Sequence, residues 1–193
     1  MESVRILVAI SNDVSLEKLR SILAENGYIV VDQARDGNEC LRKMNALRPD
    51  ISIIDYNLSS ISGYEVSKIA LEDKLCDILL IISEAQKNYI EELIAEPGFF
   101  YIAKPLSRIT LINVIELIIK NRKRIRELEK QIDDLKNALD TRKEVEKAKG
   151  ILMKTLNLTE AEAYKRIQKQ SMDRGIPMKE IARAIILAYD INA

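Results

Sequence analysis

A chain of 193 residues is long for one small domain and comfortable for an ordinary domain with a smaller one beside it. It contains no histidine and no tryptophan, and the missing histidine removes the commonest general base, metal ligand and triad member, so hydrolase and zinc-enzyme classes fall away and no enzyme is expected. Charge balances at 30 basic against 30 acidic residues, but residues 1–106 hold 11 and 17, residues 107–138 hold 8 and 5, and residues 139–193 hold 11 and 8, the division expected if only the back of the chain meets a polyanion.

Met1 is followed by a short apolar run, Val4 to Ile10, with no basic leader and no segment long enough to span a bilayer, which predicts a cytoplasmic protein without membrane contact. Val4–Ile10, Ile51–Ile54, Ile78–Ile82 and Phe99–Ile102 are nearly continuous apolar runs, as strands buried on both faces of a parallel sheet should be, and Tyr28–Val31 is a shorter fifth. Helical patterns lie between them. Leu16, Leu19, Ile22 and Leu23 end at Gly27; Cys40, Leu41, Met44 and Leu47 end before Pro49; Val66, Ile69 and Ala70 form a third set; Ile90, Leu93 and Ile94 end at Pro97. This alternation predicts a doubly wound α/β domain over residues 1–120. The two cysteines, Cys40 and Cys76, have no metal-ligand spacing and read as reduced, buried thiols.

From Pro105 to Thr155 there is no further proline and the only glycine is Gly150, so one long helix, or two nearly fused, can run through the middle of the chain. Ile118, Ile125, Ile132 and Leu139 repeat every seven residues with Leu128 and Leu135 between them, the seam of a short parallel coiled coil over residues 118–140. Isoleucine at one seam position with leucine at the other favours two strands, hence a homodimer. Beyond it, Thr159 and Glu162 form a capping box for a helix through Arg174, Gly175 ends that helix, and Pro177 starts a last one with Met178, Ile181, Ala184, Ile185 and Ala188 on one side. With the end of the long helix these make a small three-helix domain over residues 139–193.

Asp55 closes the strand Ile51–Ile54 and precedes Tyr56, Asn57, Leu58 and Gly63; Ser83 follows the strand Ile78–Ile82; Lys104 precedes Pro105. Over residues 4–120 this resembles the receiver domain of two-component response regulators. The resemblance implies a phosphoacceptor Asp55, a switch hydroxyl on Ser83, a switch aromatic in Tyr101 and a phosphate-facing Lys104. The chemistry is reasonable, since a carboxylate at a strand's C-terminal end sits in the open crevice, where Lys104 can neutralise an acyl phosphate and Ser83 can donate to it. The sequence departs from the family where a pair of acidic residues should follow the first strand to hold Mg²⁺: Ile10 and Ser11 stand there. A two-residue slip would bring in Asn12 and Asp13, making Asp55 with Asp13 a weak Mg²⁺ site. Two readings stay open, phosphorylation of Asp55 by a sensor kinase and a pseudo-receiver gripped by a sequestering sensor protein, and the missing acidic pair favours the second.

The segment Arg142–Met153, with Leu158–Tyr164, Arg166 and Ser171–Met172, is similar to the ANTAR domain over residues 139–190, most specifically in Ala148-Lys149-Gly150-Ile151-Leu152-Met153. That family implies binding of paired RNA hairpin loops in a leader transcript, so that a terminator does not form and transcription continues. The residues expected to meet RNA are Lys147, Lys149, Lys154, Tyr164 and Arg166, with Tyr164 equally suited to stacking on a loop base or to the core. Val145, Ala148, Leu152 and Leu156 should line the core, with Met153 and Met172 also inside. Gly150 costs a helix about 1 kcal/mol relative to alanine, which points to close approach by another helix or by RNA, helix packing being favoured. A DNA-binding response regulator and a protein-docking adaptor are the competing classes. The last helix, Met178-Lys179-Glu180-Ile181-Ala182-Arg183-Ala184, lacks the basic and amide face of a recognition helix.

Overall fold

The computed structural model describes residues 4–192; Met1–Ser3 and Ala193, which the predicted domain limits include, lie outside the described residues. Five strands, β1 (Arg5–Ala9), β2 (Ile29–Ala34), β3 (Ile51–Asp55), β4 (Asp77–Ile82) and β5 (Phe99–Ala103), form one parallel sheet in the order β2-β1-β3-β4-β5. Between them run α1 (Asp13–Glu25), α2 (Gly37–Leu47), α3 (Gly63–Glu72) and the short α4 (Glu91–Ile94). Chain order therefore reverses direction across the sheet between β1 and β3, the topological switch that opens a crevice at the strands' C-terminal ends.

Both faces of the sheet are covered, which explains the unbroken apolar runs of β1, β3 and β4. One face packs Ile6, Val8, Ile53 and Ile81 against Leu16, Leu19 and Leu23 of α1 and against Leu111, Ile115 and Ile118 of α5 (Arg108–Leu156). The other packs Leu7, Ile54 and Leu80 against α2, α3 and α4. The helix expected around Ile90–Ile94 is largely a 3₁₀ stretch, Glu84–Ile90, with only one turn of α4 after it. Cys40 is buried and Cys76 partly so, and burial pushes the Cys76 thiol up to about 11, which keeps it protonated and inert at neutral pH.

The chain divides into two compact units between Lys123 and Arg124, with α5 contributing to both. Ile118, expected in the dimer seam, is instead 1% exposed in the core of the first unit. Its heptad spacing satisfies two demands at once, because a residue every seven positions also falls on one face of an amphipathic helix packed on a sheet. Four residues further on, the Arg122 guanidinium donates to the Asp50 carbonyl and lies 3.4 Å from carboxylate oxygens of Asp50 and Asp77, which ties α5 to the N-terminal ends of β3 and β4.

In the second unit, α5 is joined by α6 (Glu160–Arg174) and α7 (Met178–Asn192) around Val145, Ala148, Leu152, Ala163, Ile167, Ile181, Ala182 and Ile186. The Thr159–Glu162 capping box and the left-handed Gly175 cap (φ 65°) sit where the sequence placed them. The buried side of α7 is Ile181, Ala182 and Ile186 with Met178 and Ile185 at its edge, so Ala184 and Ala188 belong elsewhere on the helix than expected. Leu156, Met153 and Met172 are 47%, 38% and 74% exposed, which corrects their assignment to the core. No helix among the described residues is long and apolar enough to cross a membrane.

Candidate functional sites: the Asp55 crevice and the tail surface

Asp55 ends β3 in the crevice between the ends of β1 and β4, and it is nine-tenths buried. Its position is set by Gly63 at the start of α3. That amide donates to the Tyr56 carbonyl at 2.9 Å, and a Cβ at Gly63 would lie 2.2 Å from the Asp55 carbonyl oxygen. Only glycine lets α3 close on the strand end this tightly. Lys104, at the end of β5 and joined to Pro105 by a cis peptide, donates through Nζ to Asp55 Oδ2 at 2.6 Å. Asp55 Oδ1 accepts from the Asn57 amide at 2.9 Å. The carboxylate is thus matched by one cation and one amide, the shortened geometry of charge-assisted bonds.

Ser83 follows β4 and lies part-buried on the same edge. Its amide donates to Gln86 Oε1 at 2.8 Å, and Gln86 Nε2 donates to Asn57 Oδ1 at 2.9 Å, so a chain of hydrogen bonds runs from Ser83 through Gln86 and Asn57 to Asp55. Gln86 was missed in the sequence, although its position three residues after a serine is the capping-box signal. Tyr101, on β5 beside Leu80, is half-buried against the α2/α3 side of the core. The structure therefore gathers Asp55, Ser83 and Lys104 at the C-terminal edge of the sheet, with Asn57 and Gln86 bonded among them.

A cleft of about 350 Å³ opens beside this pair, walled by Ile10, Ser15, Lys18, Leu19, Lys104 and Leu106. Receiver domains commonly hold Mg²⁺ here, and the residues present do not fit it. Ile10 is 3% exposed and apolar. The Ser11 hydroxyl donates to the Arg35 carbonyl, Asn12 Oδ1 is spent capping the Ser15 amide, and Asp13 is paired with Arg35 at 2.9 Å rather than lining the cleft with Asp55. Among the described residues no three acidic, cysteine or histidine side chains come together to hold a metal. A small hard cation needs several oxygen ligands in near-octahedral array, and Asp55 alone supplies only one side of it.

In the tail unit, Lys149 departs from its expected role. Its side chain is 8% exposed and its Nζ donates to Glu160 Oε1 at 2.7 Å and Glu146 Oε1 at 2.9 Å, so it joins α5 to the first turn of α6 rather than standing free for phosphate. The hydrogen bonds it donates to Glu160 and Glu146 hold its ammonium above the usual lysine range, and the same bond to Glu160 holds that carboxyl below the usual carboxylate range. The signs fix a window. The raised lysine contributes stability that is full below about pH 10.4 and lost as pH rises through its folded value; the depressed glutamate contributes stability that is full above about pH 4.3 and lost as pH falls through its folded value. Lys149→Ala is therefore expected to lower the melting temperature of the tail unit near pH 7, with the difference from wild type shrinking below about pH 4. Calorimetric scans at pH 7 and pH 3 check this, and an equal Tm at pH 7 would remove the clip.

Lys143, Lys147, Gly150 and Lys154 fall within about 60° of arc on α5 at 100° per residue, on the face opposite Val145, Ala148 and Leu152. A groove beside Lys147 also carries Glu144, Glu180 and Arg183, with Arg183 lying 3.5 Å and 3.6 Å from the two carboxylates. Tyr164 (43% exposed) and Arg166 lie two residues apart on α6 and flank the buried Ala163 and Ile167 on opposite sides. The five predicted RNA residues thus occupy several surfaces, with Lys147 and Lys154 together. A Cβ built on Gly150 meets nothing within 4 Å, so packing against another helix of this chain does not explain that glycine. The seam residues Ile125, Leu128, Ile132, Leu135 and Leu139 are 41–65% exposed, an apolar row without cover in the single chain.

A five-stranded parallel sheet with an acidic strand end bonded to a lysine from the last strand defines a receiver domain. The family model of the response regulator receiver domain matches residues 6–116, and that of the ANTAR domain matches residues 133–186. The chain is 31% identical over 182 residues to the transcriptional regulatory protein PdtaR of Mycobacterium tuberculosis, an alignment spanning 94% of this chain and 89% of that one. It is 36% identical over 73 residues to the nitrate regulatory protein of Klebsiella oxytoca, 38% of this chain and 18% of that protein. Among solved structures, the receiver domain of a modulated diguanylate cyclase from Desulfovibrio desulfuricans G20 superposes with a TM-score of 0.56 at 26% identity, covering 64% of this chain and 99% of that one. The receiver domain of NarL from Mycobacterium tuberculosis does so at 0.55 and 22%, covering 61% and 98%, which shows the shared fold. The chain belongs to the response regulators that carry a C-terminal ANTAR domain.

Proposed function

We propose that this regulator binds paired RNA hairpins in a leader transcript and prevents terminator formation, acting as a cytoplasmic homodimer whose receiver unit answers to a partner protein. The observation that carries the RNA reading is the ANTAR match over residues 133–186, on a unit whose lysines Lys143, Lys147 and Lys154 share one outward face. The apolar row from Ile125 to Leu139 supports pairing of two chains, so that two tails reach two hairpins at high effective concentration. We place the limits at residues 1–123 for the receiver, 124–140 for the coil and 139–193 for the RNA-binding part, the first of these moved because Ile118 and Arg122 belong to the receiver. RNA contact is assigned to Lys147, Lys154, Tyr164 and Arg166, with Lys149 positioning α6 against α5.

A DNA-binding reading has less support, because Lys179 and Arg183 on α7 are already paired with Asp140 and with Glu144 and Glu180. Activation by phosphorylation of Asp55 has one feature in its favour, the retained Lys104 bond at 2.6 Å, and against it stands the donor set around Ile10.

Mobility shift with a two-hairpin RNA, duplex DNA of equal length and no nucleic acid tests the reading, alongside terminator readthrough in a transcription assay. With three cations in each of two tails, roughly six phosphate contacts give a slope of log K against log salt of about −4. Arg166→Ala removes one contact from each tail and should make that slope shallower by about 1.4 while leaving the tail folded. Equal affinity for duplex DNA, or a slope near zero, would count against RNA recognition.

A further inference from the structure

Gly150 lies within the last two turns of the 49-residue helix α5, six residues before its end at Leu156, with nothing in this chain to require it. Glycine is retained in helices where the backbone is left-handed or where a neighbour comes too close for a Cβ. Neither holds: the backbone of Gly150 is helical, and an added Cβ would meet open space within 4 Å. Such a position is normally filled by a better helix former, so the missing side chain points to a molecule from outside that approaches the bare backbone.

The surroundings indicate which molecule. Lys147 stands one turn before Gly150 and Lys154 one turn after it, on the same face, with Lys143 a turn further back. None of these three lysines has an ion-pair partner among the described residues, whereas Lys149, Lys179 and Arg183 nearby all do. A second copy of this helix laid on that face would set lysines against lysines, and like charges at contact oppose each other. A polyanion is drawn to it.

We propose that Gly150 is the contact floor for the ribose-phosphate chain of a hairpin loop, with Lys147 and Lys154 holding phosphates on either side. The assignment rests on the RNA reading above and adds to it a residue with no charge and no polar side chain. Phosphate contacts of this kind set register and orientation rather than sequence preference. A side chain at position 150 would stand between the helix and the loop backbone and push both lysines out of reach together.

The test is made on the full chain with Gly150→Ala, Gly150→Leu and the Lys147→Ala/Lys154→Ala double variant, using a synthetic RNA of two adjacent hairpins from the leader of the protein's own operon. Gly150→Ala is expected to raise Tm by about 4 °C, since alanine improves the helix and fills open space. The same variant should lose affinity by about fivefold or more, and Gly150→Leu more still, because the added atoms occupy the contact. Gain of stability with loss of binding is a combination that a packing role does not produce. If wild type fails to bind this RNA, the RNA reading falls and this proposal with it. If the double lysine variant loses binding while Gly150→Ala binds as wild type does, the contact floor alone is wrong. A lower Tm in Gly150→Ala, or a changed sedimentation coefficient, would assign the glycine to packing within or between chains and overturn the proposal.

Discussion

Ile125→Asp with Ile132→Asp is expected to turn the protein into a monomer that still melts cooperatively. Both side chains are close to half exposed in the single chain, at 41% and 49%, so placing carboxylates there disturbs little within one molecule. Across a paired seam the same change sets four carboxylates into an apolar interface, and each isoleucine removed forfeits up to about 1.5–3 kcal/mol of burial. The consequence for RNA should exceed that of any single contact. A monomer engages hairpins one at a time, so affinity for a two-hairpin target is expected to fall by about 10² or more, while affinity for one isolated hairpin stays near the wild-type value. Ile118→Ala is the control that separates seam from core. Ile118 is 1% exposed in the receiver, so that variant should lose about 2–5 kcal/mol of receiver stability and leave sedimentation unchanged. A dimer that survives the double aspartate variant would show that the row from Ile125 to Leu139 serves another partner.

The contrast between Ile118 and Ile125 shows how far the sequence could be read. Both sit on one heptad register, and hydrophobic period alone does not say whether a helix meets a sheet or a second helix. Arg122 carries the missing information, because its contacts with Asp50 and Asp77 mark where α5 stops belonging to the receiver, and those contacts join residues 72 and 45 positions apart in the chain. The sheet was legible for the opposite reason: strands buried on both faces write continuous apolar runs that few other structures produce. The Asp55–Lys104 pair was legible through motif spacing, whereas Gln86 depended on knowing that the segment after Ser83 winds as a 3₁₀ turn. The sequence alone offers Lys149 as a phosphate ligand, because the carboxylate of Glu160 reaches it only once α6 folds back on α5. The sequence alone leaves Gly150 open between packing and ligand approach, and the open space around its Cβ position is what separates the two.

Treatment with acetyl phosphate and Mg²⁺ is expected to leave most of the protein unmodified. An aspartyl acceptor must bring its own negative charge against a phosphoryl donor that carries about −1.5 to −2, and two unit charges at 4 Å in partly buried surroundings repel by about 4 kcal/mol. In this crevice the cation that meets the carboxylate is Lys104, already bonded to Asp55 Oδ2 at 2.6 Å, with Lys18 the other cation on the cleft wall. The carboxylates that would recruit a divalent cation are replaced by buried Ile10 and by Ser11, whose hydroxyl is turned to the Arg35 carbonyl, while Asp13 is held by Arg35. On the proposed partner-controlled reading, Asp55→Asn should bind RNA as wild type does. On the proposed function, input acts on the receiver surface by differential binding, and a partner would shift a dimer between free and sequestered states only by as much as it prefers one of them. Intact-mass spectrometry at neutral pH reads the result directly. A substantial species heavier by one phosphoryl group, labile to base and hydroxylamine and missing in Asp55→Asn, together with tighter RNA binding, would establish Asp55 as a working phosphoacceptor and return the receiver to control by phosphorylation.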